Sequence, residues 1–372
     1  MRFEDAAELS QQMASEREHR VRGRAADPDT AAAPAATRVF DLTPPFVGRI
    51  LDAGRRLEAG RRLLGAAPPR SPGPRGVLVV AVSPGGWVPR PRVGLGVSPH
   101  PQRAAEWRVA VRAWYERDLH QPEVASVLAR VPARERDVRI TGPITARGAT
   151  GAGPYRGRCR PLRAGYSVGH RDITAGTLGA FVYAEHGDLC MLSNNHVLAN
   201  ANMGQRGDPI YQQGPSDGGT ERDEAGKLLA FQPLGARGNK VDAALADIRD
   251  DARPADLSLP EIGPLAGTQT ALETGPVQKV GRTTGRTFGA VTAVNLRGVP
   301  VDYDGTVYRF DRVLEVTGTA ATPVFSRGGD SGALVVNADR FAVGLLFAGD
   351  EAVTYVNPID EVLGTLNAKM AL

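Results

Sequence analysis

From about residue 166 the chain reads as short strands split by Gly and Asn/Asp turns. No long helical period interrupts them until PIDEVLGTLNAKM near the end. TLGAFVYA, CMLSNNHVLA, KVDAALADI, FGAVTAV, RVLEVTG, GALVVNADRFAVGLLFAG and AVTYVNPI are each short, rich in β-branched or small apolar residues, and bounded by turn formers. Repeated strands of this length cannot bury both faces singly. They have to close on themselves or stack, so an all-β barrel or sandwich finished by a short helix is expected.

The first half is patterned differently. Residues 1–70 read as a helical segment: AAELSQQMASEREHRVRGR suits an exposed helix, and a linker, DPDTAAAPAATR, follows. Phe46, Val47, Ile50, Leu51, Leu57, Leu63 and Leu64 then mark one apolar face between Pro45 and Pro68. APPRSPGPRG (67–76) is a breaker and a boundary. Residues 77–144 read as a small α+β module. VLVVAVS, RVGLGVS (92–98), EWRVAVRAWY (106–115) and DVRITGPI (137–144) are predicted strands, and PEVASVLARV (122–131) is a predicted helix with Pro122 near its first turn. Residues 145–165 are rich in Gly and Arg and read as a linker. The expected whole is multidomain, with the β-rich domain spanning 166–372.

Composition excludes several classes. No run of about 18 apolar residues occurs, so no transmembrane helix and no membrane partner are expected. MRFEDAAELSQQM lacks the apolar core of a secretory signal, which points to a cytoplasmic location. Cys159 and Cys190 are the only cysteines, too few for a disulfide framework, and two free thiols are expected. Six scattered histidines give no metal-ligand spacing, so neither metal nor cofactor is expected. Residues 1–170 hold 28 Arg/Lys against 16 Asp/Glu, and residues 171–372 hold 17 against 25. The halves can therefore attract each other, or the basic half can meet an acidic partner. No aromatic-basic motif or zinc-finger spacing accompanies the arginines, so a nucleic-acid partner is not expected.

Three segments of the β-rich half carry chemistry: SNNHVLAN around His196, NKVDAALAD around Asp242 and SRGGDSGALVV around Ser331. Acyl transfer by a serine hydroxyl needs an imidazole that can act as base and then acid. The imidazole needs a buried carboxylate to fix its tautomer. The developing oxyanion needs preorganised N–H donors, each worth roughly 10²–10³ in rate. Gly328 and Gly329 allow the backbone to aim the Gly329 and Ser331 amides into one hole. His, Asp and Ser come in that order, 46 and 89 residues apart, each beside a strand. α/β-hydrolases and subtilisins have other orders.

On these motifs residues 166–372 resemble a trypsin-like, chymotrypsin-fold serine protease. GRTTGRTFGAVTAV (281–294) is similar to bacterial members of the α-lytic protease type. SNNHVLAN is similar to the bacterial trypsin-like proteins related to the plant NARROW LEAF proteins, and residues 77–142 loosely resemble a module that precedes the protease in some of them. The resemblance implies two six-stranded barrels with the site in the cleft between them. His196 and Asp242 would come from the first barrel and Ser331 from the second, with Gly329 and Ser331 as oxyanion donors.

The resemblance implies further details. Arg282 would pair with Asp330 to keep the Ser331 loop competent without a freshly cut N-terminus. Arg327 stands where relatives often carry a bridged cysteine. Phe325 and Ser326 would form the base of the primary pocket and Phe347, Ala348 and Gly349 its wall. With no acid at that base, small or medium apolar residues are the expected preference. Partners would be protein or peptide substrates, and N-terminal modules of this kind leave a homo-oligomer open. A protease-fold scaffold with little turnover is the alternative to an active endopeptidase.

Overall fold

The computed structural model describes residues 91–103, 106–146, 153–249, 255–270, 275–350 and 352–372. The helical segment expected over 1–70 and the strand expected at VLVVAVS lie outside them. The strands, in chain order, begin with β1 (Val93–Pro99), β2 (Trp107–Ala113) and β3 (Arg136–Ile140). Next come β4 (Leu162–Arg163), β5 (Ser167–His170), β6 (Gly176–Thr177), β7 (Ala180–Tyr183) and β8 (Leu189–Ser193). They continue with β9 (Pro209–Tyr211), β10 (Glu224–Phe231), β11 (Ala244–Ala246), β12 (Ala255–Asp256) and β13 (Gly267–Thr268). Then follow β14 (Pro276–Gly281), β15 (Gly285–Arg297), β16 (Val299–Tyr303), β17 (Thr306–Phe310) and β18 (Val313–Gly318). β19 (Leu334–Asn337), β20 (Phe341–Gly349), β21 (Thr354–Pro358) and β22 (Lys369–Met370) complete the set. The α-helices are short: α1 (Glu116–Leu119), α2 (Pro122–Leu128), α3 (Asn195–Leu198) and α4 (Ile359–Thr365).

The second half closes. β14, β19, β20, β21, β18 and β15 pair in turn, and β15 pairs back to β14, which makes a six-stranded barrel. Its inward residues, among them Val291, Leu314, Val316, Phe325, Val335 and Leu346, form one buried cluster. The first half does not close as the sequence implied. It is an eight-stranded sheet in the order β22-β7-β8-β11-β10-β9-β5-β6, with β6 and β22 at its two ends. The reason lies at β6, where the Thr177 amide donates to the Ser331 carbonyl at 2.8 Å. That end of the sheet directs backbone hydrogen bonding to the Ser331 loop. Leu162, Val168, Phe181, Met191, Leu198 and Leu228 fill the concave side.

The strands of the 77–144 segment do not stand apart from the barrel. β1 pairs antiparallel with β15, with Leu95 opposite Arg297 and Val97 opposite Val294, and β2 and β3 continue the sheet outward. β2 and β3 are parallel, so a crossover must join them. α1 and α2 supply it, and Val124 and Val127 of α2 bury against Val93, Leu95, Val109 and Val111. The seam is also ionic. Arg112 of β2 is buried and donates to Glu315 of β18 (Nη2–Oε1 2.9 Å) and to Asp137 of β3 (2.8 Å). Burial opposes charge on this guanidinium, but Glu315 and Asp137 raise its pKa further above the ordinary value. Cys159 and Cys190 are both free thiols.

Candidate active site

His196 lies in α3, one turn of helix directly after β8, and Asp242 lies two residues before β11. β8 and β11 are antiparallel neighbours with Ser193 opposite Ala244, so sheet register alone sets the two side chains side by side. His196 Nδ1 is 2.5 Å from Asp242 Oδ2, and the His196 amide donates to Oδ1 at 3.2 Å. Asp242 is fully buried. Its backbone is fixed from both sides: Asn194 Nδ2 donates to its carbonyl at 2.7 Å, and its amide donates to Asn357 Oδ1 at 2.9 Å.

A third donor reaches the carboxylate. Tyr303, the last residue of β16, donates its hydroxyl to Asp242 Oδ2 at 2.7 Å. Its ring meets His196 edge-on, with centroids 5.6 Å apart, and stacks on Phe310. Burial and then the Asp242 charge push the Tyr303 phenol well above its ordinary pKa, so it stays a donor. Sequence reading did not find this residue. In VDYDGTV it looks like any aromatic beside a hairpin turn.

Ser331 sits in the turn before β19. Two close approaches fix that placement. A Cβ on Gly332 would lie 2.1 Å from Ser193 Oγ, so only glycine lets the loop touch the end of β8. A Cβ on Gly176 would meet both the Val197 side chain at 2.5 Å and the Ser331 carbonyl at 3.0 Å. Gly329 has φ +94°, a conformation that favours glycine. Its carbonyl accepts from Thr177 Oγ1 at 2.8 Å. Among the described residues the Gly329 and Ser331 amides donate to no acceptor. His196 Nε2 is likewise without a hydrogen-bond partner among them, so the bond between it and the Ser331 hydroxyl is not made in this state.

The Arg282–Asp330 pair expected from sequence is replaced by two other pairs. Asp330 is buried and saturated by near neighbours. It accepts from the amides of Thr283 (2.8 Å), Thr284 (3.1 Å) and Arg327 (3.0 Å) and from Thr284 Oγ1 (2.7 Å). Its cation is Lys279 of β14, whose Nζ lies 3.3 Å away with both side chains fully buried. Desolvation lowers the Lys279 pKa from its ordinary value, with the Asp330 charge opposing that shift. Arg282 reaches the other half instead and donates Nε to Asp217 Oδ2 at 2.7 Å. Asp217 also accepts from Ser167 and Arg156, both at 2.6 Å. Burial works against its ionised form, but Arg282, Ser167 and Arg156 outweigh it and hold the carboxyl below its usual range.

Of the expected pocket residues, Phe325 and Phe347 are buried in two different core clusters. Ser326 spends its hydroxyl on Thr354 Oγ1 at 2.7 Å, Ala348 is buried, and Gly349 is partly exposed.

No family model and no curated protein matches the chain. Solved structures that resemble it include Thermobifida fusca Protease A, at 17% identity over 56% of this chain and 98% of that one, with a TM-score of 0.41. The Nocardiopsis protease aligns at 18% identity over 57% and 99%, TM-score 0.42. The Cellulomonas bogoriensis chymotrypsin aligns at 17% over 56% and 98%, TM-score 0.39.

Proposed function

We propose that the chain is a serine endopeptidase acting on protein or peptide substrates through Ser331, His196 and Asp242. The observation that carries this reading is the short His196–Asp242 contact held against a glycine turn that presents Ser331. His196 Nε2 takes the Ser331 proton as the hydroxyl attacks the scissile carbonyl. Asp242 accepts from Nδ1, fixes the tautomer and stabilises the imidazolium. The Gly329 and Ser331 amides receive the oxyanion. The imidazolium then protonates the leaving amine, and water, deprotonated by His196, hydrolyses the Ser331 ester. Tyr303 holds the second acceptor position of Asp242 Oδ2 and so keeps the carboxylate aimed at Nδ1.

One observation favours a second reading. The Nε2–Ser331 bond is not made here, as it would not be in a protease-fold scaffold. Labelling by a fluorophosphonate probe separates the two. We expect covalent labelling of the wild-type chain that is lost in Ser331→Ala and His196→Ala. A folded wild-type chain that never labels would favour the scaffold.

A further inference from the structure

Residues Ile144–Ala146 are extended and bond on both sides to strands that lead to the site. Thr145 and Gly349 exchange both backbone hydrogen bonds in an antiparallel bridge, Thr145 N to Gly349 O at 3.4 Å and Gly349 N to Thr145 O at 3.2 Å. On the other side Ala146 N donates to Asp302 O at 3.0 Å, and Asp302 N donates to Ile144 O at 2.8 Å. Asp302 precedes Tyr303, which holds Asp242. Ile144 and Ala146 are 1% and 8% exposed and pack in the cluster of Tyr303, Phe347 and Ala348. Thr145, between them, is partly exposed. That alternation is how a strand seats every second side chain.

Direction matters as much as contact. Leu346 exchanges backbone bonds with the residues that follow Ser331: Gly332 N to Leu346 O at 2.8 Å and Leu346 N to Ala333 O at 3.0 Å. β20 therefore runs from the Ser331 loop outward to Gly349. A segment antiparallel to it at Gly349 runs inward, toward Ser331. The chain is next described at Gly153, where a Cβ would lie 2.1 Å from the Arg282 carbonyl. There Thr283 grips Gly328 O and Asp330 Oδ1, both at 2.8 Å. The same polypeptide thus stands on one flank of the Ser331 loop at Ala146 and on the other at Gly153.

An endopeptidase holds an extended substrate by main-chain hydrogen bonds along an edge that leads to its nucleophile, with alternate side chains in pockets. We infer that Phe347–Gly349 together with Asp302 is that edge, and that this chain's own Ile144–Ala146 fills it as a tethered peptide. The inference rests on the hydrolase reading above. It defines the substrate class: an extended peptide with an aliphatic residue and, two positions later, a small one, because Ile144 and Ala146 already occupy those places. It also defines a regulation, since a free peptide must displace a competitor tethered at an effective concentration in the millimolar range.

The test compares a small fluorophosphonate, which needs no peptide edge, with acetyl-Ile-Thr-Ala-Ala diphenyl phosphonate, which does. Thr145→Pro and Ala146→Pro each remove one backbone donor. In these variants the rate of the peptidyl probe relative to the small probe should rise about tenfold or more. In the wild-type chain, hydrogen exchange at the Thr145 and Ala146 amides should speed up when the peptidyl probe is bound but not when the small one is. If a variant fails to fold, the exchange measurement decides alone. An unchanged rate ratio in folded variants, or protection of Thr145 retained under the peptidyl probe, overturns the inference and leaves the hydrolase reading standing. No labelling of Ser331 by either probe overturns both.

Discussion

The two halves of the site are held by different forces. On the base side, the side chains that fix Asp242 are neutral: Asn194 and Asn357 grip its backbone and Tyr303 its carboxylate. On the nucleophile side, the Ser331 turn rests on buried ions. Lys279 meets Asp330 beneath it, and Arg282 meets Asp217 beside it. In the proposed mechanism the imidazole gains and loses a proton in each cycle. Asp242 already sets one buried charge against it, and a second would favour one protonation state further. Neutral donors hold Asp242 without adding that bias. The serine turn only has to stay still. A buried ion pair is a poor source of net stability, but losing one partner is costly, which penalises every conformation that separates them.

Four measurements can break or sharpen this contrast. Asp242→Asn should lower kcat by roughly 10⁴, through the wrong imidazole tautomer, while thermal unfolding changes little. Steady-state hydrolysis beside calorimetry would show whether the base side separates chemistry from stability in this way. Lys279→Met leaves Asp330 buried without its cation. It should cost about 3–5 kcal/mol in urea unfolding and slow fluorophosphonate labelling roughly 10²–10³-fold if the oxyanion amides shift with the turn. Stability lost with labelling intact would mean that the ion pair does not place Ser331, and the contrast would fail.

Tyr303→Phe removes one hydrogen bond to a charged group, about 1.5–3 kcal/mol, and most of that loss should appear as a fall in kcat/KM of roughly tenfold or more. An unchanged kcat/KM would make the tyrosine a packing residue only. The smallest effect concerns pH. The folded pKa of Asp217 is depressed, so its contribution to stability is fully present above the ordinary carboxyl value and is lost as pH falls through the folded one. Asp217→Asn should therefore flatten the acid limb of stability below about pH 4, measured by urea titration at stepped pH.

What the sequence disclosed follows from range. Alternation within a strand is local, so β1, β2, α2 and β3 fall on the predicted segments at 92–98, 106–115, 122–131 and 137–144 with small shifts at their ends. The three chemical motifs were legible because each pairs an unusual residue with a strand end. Partnerships over long separations were not. The resemblance pairs Arg282 with Asp330, but its partner lies 65 residues away in GPSDGG, which reads as an ordinary turn. Lys279 left a signal that could have been used: a lysine between Gln278 and Val280 inside PVQKVG, a strand otherwise of Pro, Val and Gly, is either at an edge or paired. The joining of β1 to β15 depends on register across nearly 200 residues, which no local pattern records.

The seam between β1 and β15 has a practical consequence. A fragment beginning after residue 146 would preserve His196, Asp242 and Ser331, yet it would lack Arg112 and leave Glu315 inside with its guanidinium gone. It would also bare the 294–297 end of β15, which β1 covers, as a template for a neighbouring molecule. Such a fragment should come out of solution as aggregate. The shortest soluble piece that carries the candidate site should start upstream of Val93.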